Sequence, residues 1–277
     1  MRLVSFQAEG EWRPALLRDD TVVEIETARG TVGEAIADFM RQGRVKEGRA
    51  HPASAVKLGL PVPAPGKVVC IGLNYREHAK EGGNPIPDYP AVFLRVNSSL
   101  IPHGAPLLVP SASDKLDYEA ELAVVIGARA HRVTERDALS CVFGYSCFND
   151  GSVRDYQRKS TQWTMGKNFD GTGPFGPHVV TADELPPGAT GLSVRTVLNG
   201  TVMQNGSTSD MIFPVAQLIA IVSEVMTLEP GDVIITGTPS GVGYARKPPV
   251  FLKAGDVCEI EIERIGTLRN PVAQAAT

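Results

Sequence analysis

Glu119 and Glu121 stand one residue apart in Asp117-Tyr118-Glu119-Ala120-Glu121-Leu122-Ala123-Val124-Val125-Ile126-Gly127, where the apolar run after them reads as a strand. Side chains at i and i+2 of a strand share a face, so both carboxylates point the same way. Carboxylates held that close repel each other, and a cation between them relieves the repulsion. Asp150 supplies a third acid where the next strand-like run, Cys141 to Asn149, ends. Three oxygen donors with no neighbouring His or Cys suit a hard ion, Mg²⁺ first, with Mn²⁺ or Ca²⁺ behind it. The competing reading is a solvated strand face that alternates acid with apolar residues, since antiparallel sheets often wet one side.

Asp150 also opens a dense polar stretch, Asp150-Gly151-Ser152-Val153-Arg154-Asp155-Tyr156-Gln157, and Gly166-Lys167-Asn168 follows it. His78 and Glu81 lie within Asn74 to Glu81, a span that fits one helical turn and lets the carboxylate orient the imidazole. A surface His and Glu on a polar loop would look the same. Gly82-Gly83-Asn84-Pro85 comes next, so this turn reads as a lid whose dyad arrives when substrate binds. After a strand-like run, the amides of Gly237 to Gly243 and the Thr238 hydroxyl offer a cradle for a carboxylate, with a purely structural turn as the alternative. Gly171-Thr172-Gly173-Pro174-Phe175-Gly176 formally matches a dinucleotide fingerprint. That reading is rejected, because Pro174 deletes a backbone donor and no helix follows to hold a pyrophosphate. No Gly-x-Ser-x-Gly elbow supports a serine hydrolase. His51, His103, His131 and His178 stand alone beside Pro, Gly or Arg and read as surface or turn residues.

In order, these pieces resemble the fumarylacetoacetate hydrolase family, in the bacterial acylpyruvate hydrolase and 2-hydroxyhepta-2,4-diene-1,7-dioate isomerase-like branch. They are Ile71 to Tyr75 with His78 and Glu81, Asp117 to Leu122, Asn149-Asp150 with Arg154, Asp155 and Gln157, Gly166-Lys167, Asn199-Gly200, and Pro230 to Asp232 leading to Thr236 to Gly243. The resemblance implies that Glu119, Glu121 and Asp150 hold the metal, that Lys167 stands beside the metal-bound substrate, and that His78 with Glu81 activates water. Arg154, Gln157 and Thr238 are the implied substrate contacts. Two departures bear on the substrate tail without removing a ligand: Gly151-Ser152-Val153-Arg154 stands where members often carry Val-Ser-Ala-Arg, and Arg95 stands where many carry Lys. The implied reaction is metal-dependent hydrolysis of a C–C bond in an acylpyruvate-type 2,4-dioxo acid, fumarylpyruvate- or fumarylacetoacetate-like. The same site without water attack would give a tautomerase, isomerase or decarboxylase of 2-oxo or 2-hydroxydienoic diacids. A non-catalytic, metal-dependent binding module is the reading from another class. A homodimer is the family expectation.

At 277 residues and net charge −4 the chain can bury a substantial core. No basic cluster points to nucleic acid. No apolar run nears the roughly 20 residues of a membrane helix. Glu9 enters the N-terminal stretch too early for a signal peptide, so the expectation is a cytoplasmic protein. Cys70, Cys141, Cys147 and Cys258 lack a Cys-x-x-Cys spacing and read as buried, reduced thiols, with Cys147 the one nearest the acids.

Residues 1 to 64 read as a small N-terminal domain, with strands at Arg2 to Gln7, Ala15 to Arg18 and Val22 to Glu26 and a helix at Val32 to Arg41. Pro61-Val62-Pro63-Ala64-Pro65-Gly66 marks its end, since it continues neither a helix nor a central strand. Residues 65 to 277 form the expected catalytic domain. Its strands are Lys67 to Ile71, Val92 to Leu94, Glu119 to Ile126, Val142 to Phe148, Ser193 to Leu198, Asp232 to Thr236 and Val257 to Glu263. An amphipathic helix spans Pro214 to Met226, and a short one follows Thr134, whose hydroxyl can cap it together with Asp137. Strands and helices do not alternate regularly, so a β-rich α+β fold, a mixed β-sandwich roll, is expected over a doubly wound sheet.

Overall fold

The strand Ala120–Ile126 is buried along its whole length. Leu122, Val124 and Ile126 join one apolar cluster with Val194, Ile260 and Leu268, whereas Ala123 and Val125 join another with Ile36 and Ile235. A strand apolar on both faces needs a layer on each side. The computed structural model, which describes residues 1–276, supplies both.

Ala120–Ile126 lies inside an eleven-stranded sheet. From one edge the order is Lys46–Pro52, Thr21–Glu26, Glu11–Arg18, Arg2–Ala8, Gly173–Thr181, Val142–Asn149, Ala120–Ile126, Val233–Ile235, Val68–Gly72 and Ala91–Arg95, with Leu100–Ile101 paired to Gly173–Thr181 off this path. A five-stranded sheet packs against it, ordered Thr201–Ser207, Ser193–Leu198, Val257–Ile262, Gly266–Gln274 and Leu107–Val109. Its inward residues Val194, Ile260 and Leu268 meet Leu122 and Val124 to form the sandwich core. Helix Val32–Gln42 puts Val32, Ala35 and Ile36 on the opposite cluster, and helix Val215–Val225 puts Leu218, Ile219 and Val222 on the first. The fold is thus mixed and strand-rich α+β, with few helices.

The leading residues continue the large sheet, because Arg2 and Leu3 pair antiparallel with Val180 and Val179. Helix Val32–Gln42 starts at Thr31, whose hydroxyl accepts from the Glu34 N–H at 3.3 Å, and stops at Gly43 in the left-handed region. Two expectations need correction. The Thr134 hydroxyl does not cap the Glu135–Ala138 turn through the backbone; it donates instead to the Asp137 carboxylate at 2.7 Å. His178 is no surface residue: it is buried in Gly173–Thr181, and its Nε2 donates to the Ile265 carbonyl at 2.8 Å. Burial, more than any neighbouring charge, lowers its pKa to about 4, so the ring is neutral. All four cysteines are buried and free, and the Cys147 thiol faces the Gly266 carbonyl in the other sheet.

Candidate functional site

Strand alternation puts Glu119 and Glu121 in one row with Ala123 and Val125, at the end where that row leaves the core. Antiparallel pairing then adds the third acid. Ala120 is opposite Asn149, so Glu119 and Asp150 flank the same rung, and the Asp150 N–H donates to the Glu119 carbonyl at 3.0 Å. The Asn149 side chain accepts from the Glu119 N–H at 3.0 Å. As a result, carboxylate oxygens of Glu119, Glu121 and Asp150 lie within 4.8 Å of one another, and all three residues are buried.

Cations surround two of these acids and leave the third. Lys167 Nζ donates to Glu119 at 2.6 Å and to Asp150 at 2.5 Å. Arg154 lies 2.6 Å from Glu119 and 2.8 Å from Asp117, and Arg95 pairs with the other oxygen of Asp150. Four carboxylates thus face three cations, and among the described residues Glu121 has only the Gly237 N–H, at 2.5 Å. Burial raises the Glu121 pKa well above the usual range, and Asp150 and Glu119 push it further. Burial also opposes ionisation of Glu119, but Arg154 and Lys167 overcome it and hold its pKa at about 2. Lys167 keeps its proton although burial opposes the charge, because Asp150 and Glu119 raise its pKa. Glu121 is therefore held in its protonated form, the one acid of three hard oxygen donors that lacks a compensating cation. This donor set fits a divalent cation, which would let Glu121 ionise.

The Gly237 amide reaches Glu121 because Val233–Ile235 pairs with Ala123 to Val125 and the chain then turns at φ 94°. A Cβ at Gly237 would lie 2.8 Å from the Asn74 Cβ, so only glycine permits this approach. Asn74 braces the same corner, donating to the Thr236 carbonyl at 2.7 Å and accepting from the Phe213 N–H at 2.8 Å. Just beyond it, helix Arg76–Glu81 carries the dyad: His78 Nδ1 is 3.1 Å from Glu81 Oε2. The other Glu81 oxygen accepts from the Gly241 N–H at 2.9 Å. Burial opposes the Glu81 charge, yet His78 and that amide leave its pKa below the usual value.

These groups share one cleft of about 220 Å³. His78, Glu119, Glu121, Asp150, Arg154, Gln157, Lys167 and Thr238 all line it, whereas Glu81 stands behind His78. Gln157 accepts from Arg154 at 3.0 Å. The Thr238 hydroxyl donates to the Ala120 carbonyl at 2.9 Å and accepts from Gln204 at 2.8 Å.

Several lining or supporting residues were not singled out by sequence. Phe93 and Trp163, edge to face at 5.6 Å, form an apolar wall, and Tyr244 and Arg158 line the cleft as well. Asp117 accepts from Arg154, Gly243 and Tyr244, so it fixes both the arginine and the glycine-rich turn. Its parity with Glu119 and Glu121 was the available signal. Arg95, expected from the sequence to bear on the substrate tail, does not line the cleft: its guanidinium is buried against Asp150, a contact that nothing local signals.

Within this strand-rich architecture, a buried carboxylate triad and a histidine–carboxylate pair share one cleft, an arrangement able to hold a divalent cation beside a group that can move a proton. The family model described as fumarylacetoacetate (FAA) hydrolase C-terminal matches residues 67–273, and the chain belongs to that family. A mitochondrial oxaloacetate tautomerase of Xenopus laevis is 38% identical over 98% of this chain and 90% of its own length. The 2,4-didehydro-3-deoxy-L-rhamnonate hydrolase of Sphingomonas sp. is 41% identical over 99% and 96%. Among solved structures, a 5-carboxymethyl-2-hydroxymuconate delta-isomerase from Mycobacterium smegmatis aligns with TM-score 0.83 at 35% identity, covering 99% of this chain and 100% of that one. Hydrolases, tautomerases and isomerases thus all occur among its relatives. No helix among the described residues is long and apolar enough to cross a membrane.

Proposed function

We propose that the protein hydrolyses a C–C bond of an acylpyruvate-type 2,4-dioxo acid. The observation that carries this reading is the His78–Glu81 pair, at 3.1 Å, opening on the same cleft as the three acids. Glu119, Glu121 and Asp150 would hold a hard dication, Mg²⁺ first and Mn²⁺ or Ca²⁺ as alternatives. When bound, such an ion polarises oxygen functions of the substrate and stabilises developing negative charge. Glu81 holds the His78 Nδ1 proton, which leaves the Nε2 lone pair to take a proton from water. The hydroxide adds to the distal carbonyl carbon, the C3–C4 bond breaks, and pyruvate leaves as an enolate that is protonated at C3. Lys167 supplies a fixed positive charge for that enolate. Arg154, Gln157 and Thr238 line the space the substrate would occupy.

The test is product analysis in H₂¹⁸O with an acylpyruvate and Mg²⁺. Equal amounts of pyruvate and a carboxylic acid carrying one solvent oxygen are expected. Proton exchange at C3 with no acid product from any acylpyruvate would overturn hydrolysis. It would favour the second reading, a tautomerase, which the near full-length similarity to the Xenopus laevis oxaloacetate tautomerase supports. A homodimer is part of the proposal: Val92 and Leu94 on the edge strand Ala91–Arg95, with nearby Ile86, Tyr89 and Val96, expose apolar surface that a second copy would cover. Light scattering tests it, and a monomer across micromolar concentrations would reject it.

A further inference from the structure

Among the residues lining the cleft, only Asn84 and Arg158 are exposed, so these two mark its mouth. Arg158 follows the short helix Arg154–Gln157, and its N–H donates to the Arg154 carbonyl at 3.2 Å. One helical turn separates two guanidinium groups that both lie over the Tyr244 ring, 4.4 Å from its centroid for Arg154 and 4.7 Å for Arg158. Their charge partners differ. Arg154 is buried against Asp117 and Glu119, whereas Arg158 has no carboxylate oxygen within 4.0 Å among the described residues.

An arginine laid on an aromatic face has surrendered part of its freedom before a ligand arrives, so it meets an anion already oriented. The floor of the cleft is the acid centre, where the proposed reading places the oxo-acid end of the substrate. From there the rest of the molecule extends past the Phe93–Trp163 wall towards the exposed rim. We propose that Arg158 is a specificity-determining residue that binds a second anionic group at the far end of the substrate, so that the cleft selects a dicarboxylate over a monocarboxylate of the same length. This rests on the floor-down orientation of the proposed function. Asn84, the other exposed lining residue, adds a neutral hydrogen-bonding group and no competing charge.

The experiment compares 2-oxoglutarate with 2-oxopentanoate, which differ in the distal carboxylate, by calorimetry on the Mg²⁺-loaded full chain. A charge-assisted hydrogen bond at a partly solvated rim corresponds to a preference of roughly tenfold for the diacid. Arg158→Gln should remove that preference, and Arg158→Lys should keep part of it. With a carboxylate-ended acylpyruvate and its methyl-ended counterpart, the ratio of kcat/KM should fall by the same factor in Arg158→Gln, through KM rather than kcat. A diacid preference of equal size in Arg158→Gln and the parent would overturn the proposal. If no acylpyruvate is cleaved but the binding preference depends on Arg158, hydrolysis fails and the diacid selection stands. If cleavage occurs and the preference ignores Arg158, the opposite holds.

Discussion

The eleven-stranded sheet treats charge in opposite ways at its two ends. On the strands Glu11–Arg18, Thr21–Glu26 and Lys46–Pro52, acids and bases stand exposed and pair across strands in water: Arg18 meets Glu47 at 2.6 Å, and Lys46 meets Glu26. At the Ala120–Ile126 and Val142–Asn149 strands, comparable pairs are sealed inside, with Arg95 and Asp150 at 0% and 1% side-chain exposure. Exposed pairs gain little, because water already solvates each charge and salt screens the rest. Buried pairs cost desolvation and recover it only if every partner stays in place. The fold accepts that cost where it positions acids for chemistry and avoids it where strands need only cohere.

The largest expected effect falls on the acid that lacks a cation. Glu121→Ala takes one of three donors from the centre and should weaken Mg²⁺ or Mn²⁺ binding by well over the roughly 100-fold that losing an outer-shell partner causes. Activity should vanish with it, as it should on chelation of the parent, and added Mg²⁺ should restore only the parent. Unchanged affinity in calorimetry would show that the buried acids are not a metal centre, and the contrast between the two ends would lose its functional meaning.

Next comes the dyad. His78→Ala should lower kcat by about 10²- to 10⁴-fold, the usual contribution of a general base, while metal affinity persists. Exchange of the substrate C3 proton, followed by NMR, should survive in this variant and fall in Lys167→Ala, because the two residues serve successive steps. Loss of both exchange and cleavage in His78→Ala would contradict that division.

Arg95 measures the buried end for stability alone. Arg95→Met leaves Asp150 short of a cation and takes a donor from the Thr172 and Ser99 hydroxyls, which the guanidinium now meets at 2.8 and 3.2 Å. Breaking one partner of a buried pair costs about 3–5 kcal/mol, so the urea midpoint in chelator should fall correspondingly. Bound Mg²⁺ should return part of the loss by neutralising Asp150. A midpoint equal to the parent would mean that the pair is no more costly to break than a surface one.

What the sequence revealed of this contrast follows from range. Glu119 and Glu121 share a face through a spacing of two, and Asp150 ends the neighbouring strand, so local pattern reached all three acids. Arg95 meets Asp150 across 55 residues of chain, and no local periodicity encodes that contact. Tyr244 and Arg158 reach the cleft by the same kind of long-range pairing. The strand Lys46–Pro52 escaped because a polar edge strand has no buried face to imprint an apolar alternation. His178 follows Gly176-Pro177, a dipeptide that reads as a turn in sequence, whereas strand pairing on both sides of Gly173–Thr181 buries the ring. The strands and helices with a buried stripe, such as Ser193–Leu198 and Val215–Val225, were the legible ones.

The smallest effect is the sharpest check on the surface end. Arg18 and Glu47 form two parallel hydrogen bonds, at 2.8 and 2.6 Å, a geometry as favourable as any at the buried centre. Both side chains are exposed, at 56% and 42%. If geometry set the strength, this pair would rank beside Arg95 and Asp150; if burial sets it, the pair is worth little despite its geometry. A double-mutant cycle with Arg18→Ala and Glu47→Ala, read by urea unfolding, should give a coupling near the limit of detection. In about 1 M salt, where the Debye length is about 3 Å, what remains should disappear. A coupling that resists salt would place the surface pair with the buried ones and undo the distinction between the two ends of the sheet.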